Sequence, residues 1–121
     1  MRAMMGTAQA GLLRALYAVA EQVVPDVRAH PAYLVVERQE THNWASITFN
    51  GHRHMVALRL GGPRATQQIL VQAMEAQIGQ LEYRVAGHYL VDAMVSGLRQ
   101  EEEAGEAVTR LDIEAVTLLE D

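Results

Sequence analysis

The sequence feature that most constrains the fold is an Asn50-Gly51 pair between two runs of strand-forming residues, 44–49 and 52–60. A two-residue hairpin turn of the favoured type needs positive φ at both central residues, and Asn-Gly tolerates this well. The pair therefore predicts a β-hairpin centred on these two residues. The register that follows pairs Phe49 with His52, Ile47 with His54 and Ala45 with Val56.

The predicted hairpin has two different faces, because successive side chains of a strand point to opposite sides. Its apolar face contains Ala45, Ile47, Phe49, Val56, Leu58 and Leu60. Its other face contains Ser46, Thr48, Arg53 and Arg59. Such alternation is typical of an antiparallel sheet that is covered on one side.

Two helices are predicted beside the strands. The first has Thr7 as its N-cap and ends before Pro25, and the second begins at Thr66 and ends at Gly79. Further strands are predicted at 32–38, 83–98 and 108–119, with polar connections at 39–43 and 100–106.

The predicted order is α-β-β-β-α-β-β. It indicates an α+β domain with a mostly antiparallel sheet and two helices on one face. With 121 residues, the chain is predicted to be a single domain, 1–121, in which residues 1–6 lie outside the ordered part.

Composition argues against several classes of function. The absence of cysteine excludes disulfides, thiolate metal sites and a cysteine nucleophile, and it fits a reducing compartment such as the cytoplasm. The net charge of −5 argues against nucleic-acid binding, which needs clustered positive charge. The apolar stretch 12–24 contains Arg14, Glu21 and Gln22, so no membrane span is predicted.

The histidines are the residues most able to carry chemistry. His52 and His54 share a strand face, but no further metal ligand is near them in sequence, so a metal site is not predicted. An acid–base role for His42, His88 or Asp92 is the alternative, although no catalytic motif surrounds them. We therefore expect neither enzymatic activity nor a cofactor.

The polar turns and the lone tryptophan are the predicted contact residues. Trp44 is read either as an interface anchor or as a cap on the sheet. The run Glu101–Glu103 is read either as a solvated loop or as an acidic lip that steers a basic partner. The full candidate interface comprises Trp44, Asn50, Gly51, His52, Arg53, His54, Arg59, Glu101, Glu102 and Glu103.

The order of these segments resembles the tail-terminator, or tail-completion, family of tailed phages and gene transfer agents. The segments that carry the resemblance are the helix around 12–17, the proline-led strand 31–37, Trp44, Gly51 with His54, the strand 55–60, the run 87–91 and the chain end 118–120. The resemblance covers most of the chain.

The resemblance implies a homo-oligomeric ring, typically a hexamer, that caps the tail tube and binds head-completion proteins. The protein would then act in the cytoplasm or in a particle assembled there. The alternative is a stand-alone bacterial α+β protein, dimeric or holding a small apolar ligand between helices and sheet.

Overall fold

The structure is a computed structural model that describes residues 6–45, 47–82, 84, 85 and 87–119. Within these residues the chain forms two α-helices and a five-stranded antiparallel sheet. In chain order the elements are α1 (Thr7–Val23), β1 (Val35–Ala45), β2 (Asn50–Leu60), α2 (Arg64–Gln77), β3 (Arg84–Val85), β4 (His88–Glu103) and β5 (Glu106–Leu119). The strand order across the sheet is β1-β2-β5-β4-β3.

The core lies between the helices and one face of the sheet. Helix α1 contributes Leu12 and Leu16, helix α2 contributes Leu70 and Met74, and all four side chains are buried. Beneath them lie residues from β2, β4 and β5, including Val56, Leu58, Leu60, Ala93, Leu111, Ile113 and Ala115. The predicted fold class, α+β with two helices on one face of a mostly antiparallel sheet, is confirmed.

The helix ends differ slightly from the prediction. Thr7 is the first residue of α1 and Gly6 is its N-cap, while Thr66 lies inside α2, which follows Pro63. Gly79 belongs to a 3-10 turn, Ile78–Gln80, that extends α2. Neither described helix is long and apolar enough to cross a membrane.

The predicted position of the first hairpin turn is wrong. Ala45 pairs with Asn50 and Trp44 pairs with Gly51, so the turn precedes Asn50 and the predicted register does not form. Gly51 does not have positive φ. It is needed for close approach to the next strand, because a Cβ there would lie 2.1 Å from the Thr117 carbonyl oxygen.

Several predicted boundaries change with this turn. The polar residues 39–43, predicted as a connection, are part of β1, whereas Pro31–Tyr33, at the start of the predicted strand 32–38, forms a 3-10 turn. Ala45, Ile47 and Phe49 are exposed instead of lying on an apolar sheet face. The predictions for Ser46 and for Tyr83 and Ala86 in the strand 83–98 fall outside the described residues.

The second hairpin is longer than predicted. Residues 100–103, predicted as part of an acidic loop, continue β4, and Glu103 pairs with Glu106 across a two-residue turn. Both turn residues have positive φ, 52° at Ala104 and 82° at Gly105. This is the backbone geometry that was predicted for Asn50-Gly51, but it is adopted by Ala104-Gly105.

We expect Ala104→Gly to stabilise the protein. The left-handed region destabilises a residue that has a Cβ atom by about 1–2 kcal/mol, and glycine avoids this cost because it has no Cβ. Part of the gain is lost to the larger unfolded-state entropy of glycine, which leaves about 0.5–1 kcal/mol. Urea unfolding monitored by circular dichroism measures the change. The matched variant Gly105→Ala should lower stability by about 1 kcal/mol, and an unchanged midpoint in both variants would contradict the turn geometry.

Candidate assembly interface

The hairpin tip, defined here as the described residues 44, 45 and 47–50, presents apolar side chains to solvent. Ile47 is fully exposed at 103%, Phe49 is 49% exposed and Trp44 is 39% exposed. The sequence of the tip contains no charged residue. Clustered exposed apolar side chains are characteristic of protein–protein contact sites.

The outer face, the side of the sheet away from the helices, contains a shallow groove of about 260 Å³. The outer groove is lined by Met55 and Ala57 of β2 and Ser96 of β4. Its charged rim includes Arg38, Glu40, Asp112 and Glu114. Met55 is 40% exposed, so the groove combines apolar and polar surface. Beside the groove, Met94, which pairs with Glu114, is 50% exposed.

The charged rim is already paired within the outer face. Arg38 lies 2.8 Å from Glu40 of the same strand. Arg53 of β2 lies 4.0 Å from Glu114 of β5, and Arg99 of β4 lies 3.0 Å from Asp112 of β5. These exposed ion pairs add little stability, but they leave the rim electrically balanced.

A second group of charges, the Arg110 cluster, joins four strands. The Arg110 guanidinium of β5 contacts Glu37 of β1 at 3.0 Å and both Glu101 and Glu103 of β4. Arg59 of β2 also donates to Glu103 at 3.1 Å. The hydrogen bonds from Arg110 and Arg59 hold the pKa of Glu103 below its usual value. Sequence reasoning missed Arg110 because its partners are brought to it only by strand pairing.

The structure separates the predicted interface residues into different environments. Trp44 and Asn50 belong to the hairpin tip, and Arg53 and Glu102 are exposed elsewhere on the sheet. Arg59, Glu101 and Glu103 are engaged in the Arg110 cluster. Gly51 and His54 are buried, so they offer no surface to a partner, and His52 is half-buried.

His54 is part of a buried polar network between the sheet and α1. Its Nε2 lies 2.8 Å from the Thr117 hydroxyl and its Nδ1 lies 3.1 Å from the Thr41 hydroxyl. Gln9 of α1 donates to the Thr41 oxygen at 2.9 Å. Thr41 is therefore free to donate to Nδ1 while Nε2–H donates to Thr117. The network satisfies a neutral imidazole at both ring nitrogens.

His52 and His88 lie beside this network and line a cleft of about 380 Å³ at the start of α1. The His52 ring centroid is 6.0 Å from that of His54 and 5.7 Å from that of His88. The Nδ1 atoms of His52 and His88 are buried and have no hydrogen-bond partner among the described residues. In the part of the chain that the structure describes, no group of His, Asp and Glu is arranged to hold a metal ion.

The residues of the catalytic alternative do not converge. His42 pairs with Arg53 and Asp92 pairs with Val116, positions that place both side chains on the outer face. His88 lines the cleft on the helix-covered side. The sheet therefore lies between His88 and the other two side chains.

We expect folding stability to fall as the pH is lowered from about 6.5 to about 4. Burial first, and then electrostatic repulsion from His52 and His88, lowers the pKa of His54 from 6.5 to about 4. The unfolded state therefore binds more protons in this range, so the stabilisation is complete above pH 6.5 and is lost as the pH falls towards 4. The described cleft-lining residues of α1 and β1 include no carboxylate that would offset this.

Urea titrations between pH 4 and pH 8 measure the effect, which should reach about 2–3 kcal/mol. His54→Gln should flatten this part of the pH profile, whereas the exposed control His42→Gln should leave it unchanged. A profile that is the same for His54→Gln and the wild type would show that His54 is not the responsible group.

Comparisons with known proteins show a similarity of fold. No protein-family model and no curated protein sequence matches the chain. Among solved structures, the chain is similar to a chain of the structure described as "Virion of native gene transfer agent (GTA) particle", with a TM-score of 0.68 and 13% sequence identity. The superposition covers 95% of this chain and 99% of that chain, so the two share one fold from end to end.

Proposed function

We propose that this protein is a non-catalytic structural component of a phage-like particle of the gene-transfer-agent type. The observation that carries the proposal is the near-complete superposition on a chain of a gene transfer agent virion. The match includes both helices and the sheet rather than one common hairpin, because it covers 95% of the chain.

The exposed surfaces support a role in assembly. A protein of this kind needs surfaces that neighbouring subunits can bury, and it needs no convergent set of catalytic side chains. The hairpin tip with Ile47 and the outer groove with Met55 are surfaces of this kind. The separation of His88 from His42 and Asp92 is consistent with a non-catalytic role.

Within the particle, we assign the chain the role of tail terminator. In this role a closed homo-oligomeric ring, most simply a hexamer, caps the finished tail tube and presents its other side to head-completion proteins. Ring closure requires a heterologous contact between two different surfaces of each subunit. The tail-tube protein and the head-completion protein are then the partners, and the particle is assembled in the cytoplasm.

The cleft beside His52 and His88 favours a second candidate function, a stand-alone dimeric or small-ligand-binding protein. The space between helices and sheet is filled by Leu12, Leu16 and Met74, so the cleft at the start of α1 is the place for a ligand. A ligand of this type would raise the melting temperature of the purified protein.

The deciding experiment is deletion of the gene in the organism that encodes it, with negative-stain electron microscopy of the particles produced. We expect heads without attached tails, or free tails of irregular length, because nothing caps the tube. Supplying the wild-type gene in trans should restore joined particles. Normal joined particles after deletion would contradict the assigned role and shift support to the ligand-binding candidate.

A further inference from the structure

We propose that the outer groove of one copy receives the hairpin tip of a second copy. This head-to-tail contact rests on the proposed assembly function and identifies the surfaces through which copies of the chain would meet. It brings the exposed Ile47 of one copy onto Met55, Ala57 and Ser96 of the next.

The tip cannot occupy the groove of its own chain. Asn50 at the tip and Met55 in the groove are five residue steps apart on β2, a distance of about 17 Å along an extended strand. The groove lies on the face of the same strand, whereas the tip extends beyond its end. Covering the exposed Ile47 in this groove therefore requires a second molecule.

The charges favour a second copy as the occupant. Copies with a net charge of −5 repel each other at long range, so a contact between them must avoid opposing carboxylates. The tip brings no charge to the contact. The groove rim is balanced by the pairs Arg38–Glu40, Arg53–Glu114 and Arg99–Asp112.

Other occupants fit this surface less well. A nucleic acid requires unpaired positive charge, but Arg38, Arg53 and Arg99 are each close to a carboxylate. A basic peptide requires unpaired carboxylates, and Glu114 and Asp112 are close to arginines. An uncharged apolar tip meets neither difficulty, and it buries the exposed surface of Met55.

The geometry of the contact has a consequence for assembly. Tip and groove are different surfaces, so each copy uses its tip on one neighbour and its groove on the other. Such a heterologous contact produces a ring when the rotation between copies closes.

The first test uses light scattering on a sizing column over a concentration series. We expect the wild type to increase in mass with concentration and Ile47→Asp and Met55→Arg each to weaken this association roughly tenfold or more. Arginine at position 55 is compatible with the fold because its register neighbours are Glu40 and Glu114. Ile69→Asp is the matched control, since Ile69 of α2 is 45% exposed and lies on the helix-covered side.

Mixing the two variants tests the head-to-tail arrangement. Met55→Arg retains an intact tip and Ile47→Asp retains an intact groove, so the mixture should form a heterodimer that does not grow. A strictly monomeric wild type, variants that associate like the wild type, or a mixture that stays monomeric would each overturn the proposal. Any of these results would leave the gene-deletion phenotype, and thus the proposed function, independently testable.

The absence of cysteine allows an orthogonal measurement. Equimolar Ile47→Cys and Ser96→Cys, mixed under mild oxidation, should form a mixed disulfide in excess of the random level. The pair Ile69→Cys and Ser96→Cys supplies that random level. Equal yields from the two mixtures would overturn the contact even if association were observed.

Discussion

Strand β5 is hydrogen-bonded to β2 on one side and to β4 on the other over most of its length. Its alternating side chains therefore define both faces of the sheet: Leu111 and Ile113 are buried under the helices, whereas Arg110 and Asp112 lie on the outer face. Near the C-terminal end of β5, the polar Thr117 occupies a buried position in this pattern, and its hydroxyl is hydrogen-bonded to His54. The apolar core, the Arg110 cluster and the histidine network consequently all depend on the register of one strand.

Sequence patterns predicted the parts of the fold in which burial follows local periodicity. The α1 and α2 stripes and the alternation of β5 are of this kind, because a single buried face determines them. The turn of the first hairpin was predicted in the wrong place because Asn50-Gly51 has the composition of a turn. The structure instead requires glycine at position 51 because the backbone there lies too close to Thr117 for a Cβ atom. The second turn was not predicted because Ala104 adopts positive φ, which is unfavourable for alanine and so gives no turn signal in the sequence.

The exposed candidate residues were predictable only where they are neighbours in sequence. Trp44 and Asn50 were identified from the turn region and belong to the exposed tip. His54 was assigned to the surface, but its burial follows from contacts with Thr41 and Thr117, which are distant in sequence. The outer groove combines Met55 with Ser96, and no local pattern links strands that are separated by α2 and joined through β5.

Among the described residues, only Arg84 and Val85 pair with the outer edge of β4, so most of this strand has no paired strand on that side. Glu101 and Glu102 lie on this stretch, preceded by Arg99. Charged side chains on an edge strand oppose the open-ended addition of further strands. We therefore expect the charged end of β4 to disfavour cross-β pairing along this edge.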